Sequence, residues 1–263
     1  MDPGTPTTDD PRRVPMPAGD HGPEGVTVLR GGRLFDGTGA PARLATLVLE
    51  GNRVRSVLDP SNADWPSDAR VFDVGGMTVL PGLIDMHTHL DYTEPDVAID
   101  EAVNPVHATL RAIERLRYFI ESGITSVRDT GSKYDVPFRL KEFVADNRIP
   151  GPRIFAAGRL ITATGGHGAE GLTPRSQLYG AVREASGPDD WREAVRENFK
   201  QGADFIKLAS HFSQDEVRAA VDEAHALGLR VTVDAETFYI GWAVEAESIP
   251  SSTRFAARTR SSR

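Results

Sequence analysis

Beyond Pro81 the chain alternates short apolar runs with helix-length amphipathic stretches, and this rhythm restricts the fold more than any other feature. Leu83-Ile84-Asp85-Met86-His87, Thr125-Ser126-Val127-Arg128-Asp129, Pro152–Gly158, Ala203–Ala209 and Leu229–Ala235 read as strands. Helices are predicted over about Glu101–Ser122, near Pro137–Asp146, from Gly187-Pro188-Asp189 to Gln201-Gly202, from a Ser213 cap through Leu227, and over Phe238–Glu247. On the first helix Leu110, Ile113, Leu116 and Ile120 are expected to share one face, with Gly123 closing it. Strand–helix alternation means parallel strands joined by crossover helices. Five β/α units are countable, whereas a closed barrel needs eight.

Residues 26–80 have a different texture. VTVLRGGRLFDGTG, ATLVLEGNRVRSVLD and ARVFDVGGMTVLPG are β-rich runs broken by Gly, Asn and Asp turns, predicting three or four antiparallel strands before the main fold. The glycine pairs there fit hairpin turns, because no helix follows them as a phosphate-binding loop requires. The first 25 residues hold six prolines and no apolar stretch, and read as a disordered leader rather than a signal peptide. The last thirteen residues hold four Arg and four Ser. They belong to the segment 248–263, either a basic disordered tail or a sequence that leaves its reading frame shortly after Glu247.

The net charge of −8 argues against a nucleic-acid or anionic-membrane partner, and no run approaches the ~20 apolar residues of a membrane span. Cytoplasm is the default location. Without cysteine, any metal must be held by imidazole, carboxylate or a modified lysine.

His87-Thr88-His89 ends the apolar strand LIDM. Side chains at i and i+2 of a strand share a face, and at the C-terminal end of a barrel strand that face looks into the active-site mouth. Two neutral imidazoles there can share a divalent ion. Asp85 lies on the same face and either orients an imidazole or serves packing. Lys207, within Phe205-Ile206-Lys207-Leu208, is an amine on an apolar strand, with Phe205 and Lys207 predicted inside and Ile206 and Leu208 toward the helices. Burial lowers its pKa. A neutral amine there can form a Schiff base or take up carbon dioxide to become a carbamate; the alternative is a lysine reaching to solvent at a strand end. Arg128-Asp129 is expected to pair and fix neighbouring loops. His225, His107 and His211 read as surface or packing residues, and Trp191 and Trp242 as core.

PGLIDMHTHL, TSVRDTGS, PGPRIFAAGRLITATGGHG, GADFIKLAS and VDEAHALGLRVTVDAE, in that order, resemble the amidohydrolase superfamily, nearest its Xaa-Pro dipeptidase-like and imidazolonepropionase-related branch. The resemblance implies an incomplete (β/α)8 TIM-type barrel (81–247) preceded by the N-terminal part of a small β-sandwich (26–80). It further implies two zinc-type ions, bound by His87 and His89 and bridged by a carboxylated Lys207. His167, in Thr164–Gly168, would touch substrate or polarise its carbonyl. The implied reaction is hydrolysis of an amide, cyclic amide or dipeptide by metal-activated water, on a small-molecule substrate and with homo-oligomers allowed. The sequence departs from the pattern where relatives show a strand-five histidine: Asp234 stands there, with Glu236 as the alternative ligand. The strand-six histidine and the strand-eight aspartate, the usual general base, have no counterpart. Two other readings follow, an inactive fragment of such an enzyme and a mononuclear deaminase-type barrel with a structural Lys207.

Overall fold

The computed structural model describes residues 24–93, 103–170 and 180–248. The leader, the basic tail, His21 and the predicted start of the first helix at Glu101 lie outside the described residues. Two compact units result, one running to Leu83 with Ala145–Arg148 and one comprising Ile84–Val144 and the chain from Ile149 onward.

In the first unit, β1 (Val26–Leu34), β2 (Arg43–Glu50), β3 (Arg53–Leu58), β4 (Arg70–Asp73) and β5 (Thr78–Val79) make one five-stranded sheet. β1–β2 and β2–β3 are antiparallel hairpin neighbours, but β4 and β5 pair parallel to β1. The all-antiparallel expectation is therefore corrected. Propensity marks a strand but not its direction, and the turn-rich stretch from Asp59 to Ala69 carries the chain back to start β4 alongside the beginning of β1 (Thr27 opposite Arg70).

The second unit carries the alternation. Its strands are β6 (Leu83–Thr88), β7 (Ile124–Asp129), β8 (Arg153–Ala156), β9 (Leu160–Ala163), β10 (Val182–Ala185), β11 (Phe205–Ala209) and β12 (Arg230–Asp234). They order as β6-β7-β8 and β10-β9-β11-β12, with β7–β8, β9–β10, β9–β11 and β11–β12 parallel. Asp204, at the foot of β11, donates its backbone N–H to the Ala156 carbonyl and accepts the Ala156 N–H, linking the two groups of strands. β9 and β10 fall in a stretch to which the sequence pattern assigns no strand. Each is only four residues long, too short for a periodicity to show.

The helices are α1 (Pro105–Glu121), α2 (Val136–Ala145), α3 (Pro188–Gln201), α4 (Gln214–Ala226) and α5 (Tyr239–Ser248). Asn104 caps α1 through the Val106 N–H, with Pro105 in the first turn where its missing donor costs nothing. A reciprocal capping box joins Ser213 and Glu216 at the start of α4. The buried stripe of α1 is Ala108, Ala112 and Leu116, with Ile113 packed against the core, so two of the four expected residues face inward, whereas Leu110 is 63% and Ile120 42% exposed. Small residues at i, i+4 let the helix lie close to the sheet, and Leu110 falls on the far side.

One core fills the space between helices and strands. Trp191 of α3 is fully buried, and its indole donates to the Ala185 carbonyl. Ile206 and Leu208 face this core with Val195, Val217 and Val221, as alternation along β11 predicted. Truncating Trp191→Ala removes both the packing and the hydrogen bond. It is expected to lower the unfolding free energy by about 3–5 kcal/mol, measured by urea denaturation followed by circular dichroism.

Candidate metal centre

β6 delivers His87 near its end, and His89 follows one residue past it. Their ring centroids lie 5.4 Å apart, nearly edge to face. His89 bonds through Nδ1 to the Gly131 carbonyl at 2.7 Å, and its ring stacks on Tyr92 at 4.4 Å. The strand end is braced from β7, since Arg128 Nε donates to the Met86 carbonyl. Asp85 accepts the His87 backbone N–H, which is a local turn-like bond rather than the imidazole contact that was one expectation.

Opposite stands Lys207, at the centre of a strand whose five residues are all buried. Its Nζ donates to Asp234 Oδ2 at 3.1 Å. Register explains the meeting: Lys207 pairs with Thr232 and Ala209 with Asp234, so Thr232 and Asp234 share the inward face of β12. Arg128 completes this interior, donating to Thr232 Oγ1 and lying over the Phe205 ring. Burial pushes the Lys207 amine below its ordinary pKa, against the upward pull of Asp234. Asp234 is held below the usual carboxylate range: burial opposes this, but the hydrogen bond and charge of Lys207 outweigh it, with help from His167 and His87. His87 is shifted down by burial, then by the cations Lys207 and Arg128 and by His89. His87, Lys207, Asp234 and His167 thus share one electrostatic environment.

His167 lies in the turn after β9, half exposed, with Nδ1 3.6 Å from Glu170 Oε1. Gly166 permits this turn: a Cβ there would sit 2.9 Å from the Ala163 oxygen and 3.0 Å from the Ser210 oxygen. Glu236 is exposed beyond β12, its N–H donating to Ser210 Oγ. Among the described residues no group of three or more His, Asp or Glu side chains converges on one point, and Asp234 is turned to Lys207. His107 is exposed on α1, and His211 stacks edge-on to Tyr239. His225 borders a cavity of about 750 Å³ with Arg230, Val231, Val233, Ala243 and Val244. That cavity flanks the edge strand β12 beside α5 and includes neither His87 nor Lys207, so it is not the candidate centre.

The sequence did not point to a second, buried cluster below His89. Asp129 at the end of β7 and Asp91 after β6 are both fully buried. Asp129 accepts the Gly131 N–H, the Ser132 hydroxyl and the Leu90 N–H; Asp91 accepts the Lys133 N–H. Asp91 Oδ1 is buried without a hydrogen-bond partner among the described residues. The expected Arg128–Asp129 pair does not form, since neighbours along a strand point to opposite faces. Asp129 binds the loops without Arg128. Burial pushes Asp129 up to about 6; burial and then the Asp129 charge push Asp91 up to about 7. The signal available was the TGS triplet after Arg128-Asp129, a loop of short donors beside a strand-end carboxylate.

The amidohydrolase family model matches residues 78–249, well over half of the chain. The chain belongs to the amidohydrolase family. Within it, ochratoxinase of Aspergillus niger is 27% identical over 240 residues, covering 76% of this chain and 48% of the relative. The crystal structure of a prolidase complexed with N-methylphosphonate-L-proline superposes with a TM-score of 0.77 at 32% identity, over 84% of this chain and 59% of that one. A Xaa-Pro dipeptidase with methionine bound in its active site gives a TM-score of 0.73 at 26% identity, over 84% of this chain and 60% of that chain. The chain spans about half the length of the curated relative. No helix among the described residues is long and apolar enough to cross a membrane.

The raised carboxyls carry a pH signature. Folded Asp91 and Asp129 hold their protons to higher pH than the unfolded chain does, so their contribution to stability is present at acid pH and is lost as pH rises from about 4 through about 7. The slope is at most about 1.4 kcal/mol per pH unit for each carboxyl. In Asp129→Asn this slope is expected to flatten, measured by urea unfolding midpoints from pH 4 to pH 8; parallel wild-type and variant curves would count against the assignment.

Proposed function

We propose that this chain carries the metal-binding part of a hydrolase acting on carbon–nitrogen bonds, with His87, His89 and Asp234 as ligands and Lys207 beside them. The observation that carries the reading is that two imidazoles at the end of β6 share one electrostatic environment with a buried lysine–carboxylate couple on β11 and β12. The donor set suits a divalent ion: neutral nitrogens and an ionised oxygen, the mixture that zinc takes. With the reading come a (β/α)8 barrel over 81–247, of which five units stand in this sequence, a β-sandwich to which 26–80 contributes, and terminal segments 1–25 and 248–263 outside both. We place its work on soluble small molecules in the cytoplasm.

A divalent ion held there would supply Lewis acidity, lowering the pKa of water toward neutrality and polarising a carbonyl. The chain's own groups do the rest. His89 presents a ring whose Nδ1 is engaged by Gly131, so the ligating nitrogen is Nε2. His87 stays neutral at physiological pH because burial and the neighbouring cations disfavour its imidazolium. Lys207 keeps Asp234 ionised and oriented. His167, on its glycine turn and electrostatically coupled to Asp234, is the substrate-binding residue, suited to a carbonyl or carboxylate oxygen. An amide, a cyclic amide or an Xaa-Pro dipeptide fits this chemistry, and the proline analogue bound by the related prolidase supports the last.

Two metal stoichiometries follow from Lys207. As an ammonium it balances Asp234 and one ion is held, a reading favoured by the 3.1 Å ion pair. As a carbamate, formed when the neutral amine adds carbon dioxide and releases a proton, it would be an anionic ligand able to serve two zinc ions, a reading favoured by its burial and lowered pKa. Native mass spectrometry of zinc-loaded chain, with and without bicarbonate, separates them: a rise from one to two zinc ions with a carbon dioxide mass increment marks the carbamate. His87→Ala and His89→Ala are each expected to weaken zinc more than a hundredfold by isothermal titration, since even residues behind the ligands cost about 10–100-fold. Zinc affinity unchanged in both variants would overturn the metal reading. Turnover of Xaa-Pro dipeptides, assayed by proline release, tests the substrate class.

A further inference from the structure

His89 is held by a chain of bonds that begins on the neighbouring strand, β7. Its Nδ1 lies 2.7 Å from the Gly131 carbonyl oxygen, and a carbonyl only accepts. The ring nitrogen must therefore carry the hydrogen, and the neutral ring has its lone pair on Nε2. Gly131 is in turn fixed by Asp129, whose Oδ1 accepts the Gly131 N–H at 3.1 Å. The other oxygen, Oδ2, accepts Ser132 Oγ at 2.6 Å and the Leu90 N–H at 3.4 Å. One carboxylate thus binds the loop after β7 and the residue that directly follows His89. Asp91 Oδ2 on Lys133 N and the Thr130 N–H on the Thr88 carbonyl tie the same two segments in the opposite direction.

The arrangement leaves little room for the ring to turn. Tyr92 covers one face of His89 at an interplanar angle of 12°. A Cβ on Gly131 would press on Leu160 Cβ at 3.3 Å and lie in ordinary contact with the His89 ring at 3.5 Å, so the Gly131 backbone sits directly against the imidazole. A fully buried carboxylate is costly, and an apolar residue would serve packing alone at less cost. What an apolar residue cannot supply is two oxygens accepting three donors from two loops.

We propose that Asp129, which touches none of the candidate ligands, is the positioning residue of the centre: by clamping residues 130–132 to Leu90 it aims the Gly131 carbonyl at His89 and locks that ring in the Nδ1–H tautomer. This rests on the metal reading for its purpose but not for its test.

The test is long-range ¹H–¹⁵N histidine spectroscopy of the full, chelator-treated chain above pH 8, with the His89 resonances assigned by comparison with His89→Gln. Wild-type His89 is expected as the Nδ1–H tautomer. Asp129→Asn, which offers one acceptor oxygen where two are used, shifts it to a mixture containing Nε2–H, while His107 and His225 stay unchanged. Ser132→Ala removes one of the three donors and gives a smaller shift in the same direction, a second route should Asp129→Asn fail to fold. In parallel, cobalt(II) titration is expected to show affinity about 10–100-fold lower in Asp129→Asn, with an altered visible absorption band. An Nε2–H tautomer in the wild type would overturn the proposal, as would wild-type tautomer and cobalt affinity in both variants. Failure of the wild-type chain to take up cobalt would instead overturn the metal reading, and the tautomer comparison would still decide the part played by Asp129.

Discussion

An amine in the middle of a five-residue buried strand must be answered by an opposite charge or lose its own, and the interior of the barrel segment is arranged around that requirement. Lys207 meets it with Asp234, one strand over and on the same inward face. Because β11 and β12 run parallel in fixed register, this pairing also sets which β12 residues look inward: Thr232 and Asp234 do, and Thr232 then receives Arg128 from β7. Arg128 in turn holds the Met86 carbonyl, the residue before His87. One buried charge therefore propagates through three strands to the paired imidazoles.

The outward faces obey the opposite rule. Ile206 and Leu208 alternate with Lys207 and pack against α3 and α4, where Trp191, Val195, Val217 and Val221 exclude water. That apolar layer makes the interior polar row affordable in free energy, and the polar row gives the layer its function. Behind the imidazoles a third device is at work. Two buried carboxylates, each raised in pKa, join the loops after β6 and β7 and give up stability near neutral pH for a fixed His89.

Much of this was legible in the sequence, for identifiable reasons. The period of two along LIDMHTH and FIKLA put His87 with His89, and Phe205 with Lys207, on the correct sides, since pleating leaves no alternative. Helix limits followed from caps: Ser213, Gly187-Pro188 and Gly123 all act where expected. Other features were hidden. Strand direction is not encoded in propensity, so β4 and β5 were read antiparallel to β1. β9 and β10 are too short to show a period. On α1 the eye follows large residues, yet the alanines at 108 and 112 mark the buried side. The Arg128–Asp129 expectation paired chain neighbours whose side chains diverge by the same pleat that unites His87 and His89. The bond from Gly131 to His89 joins residues 42 apart through a backbone carbonyl, which no side-chain motif announces.

The proposal that unites these observations is an ion-binding role for His87, His89, Lys207 and Asp234. A zinc-soaked crystal, read by anomalous scattering at the zinc edge, tests that role most directly. A peak is expected at about 2.0–2.1 Å from a nitrogen of His87 and from Nε2 of His89, with an oxygen of Asp234 or of a modified Lys207 turned toward it. A map with zinc only on surface carboxylates, and the two rings and the Lys207–Asp234 pair undisturbed, would contradict it.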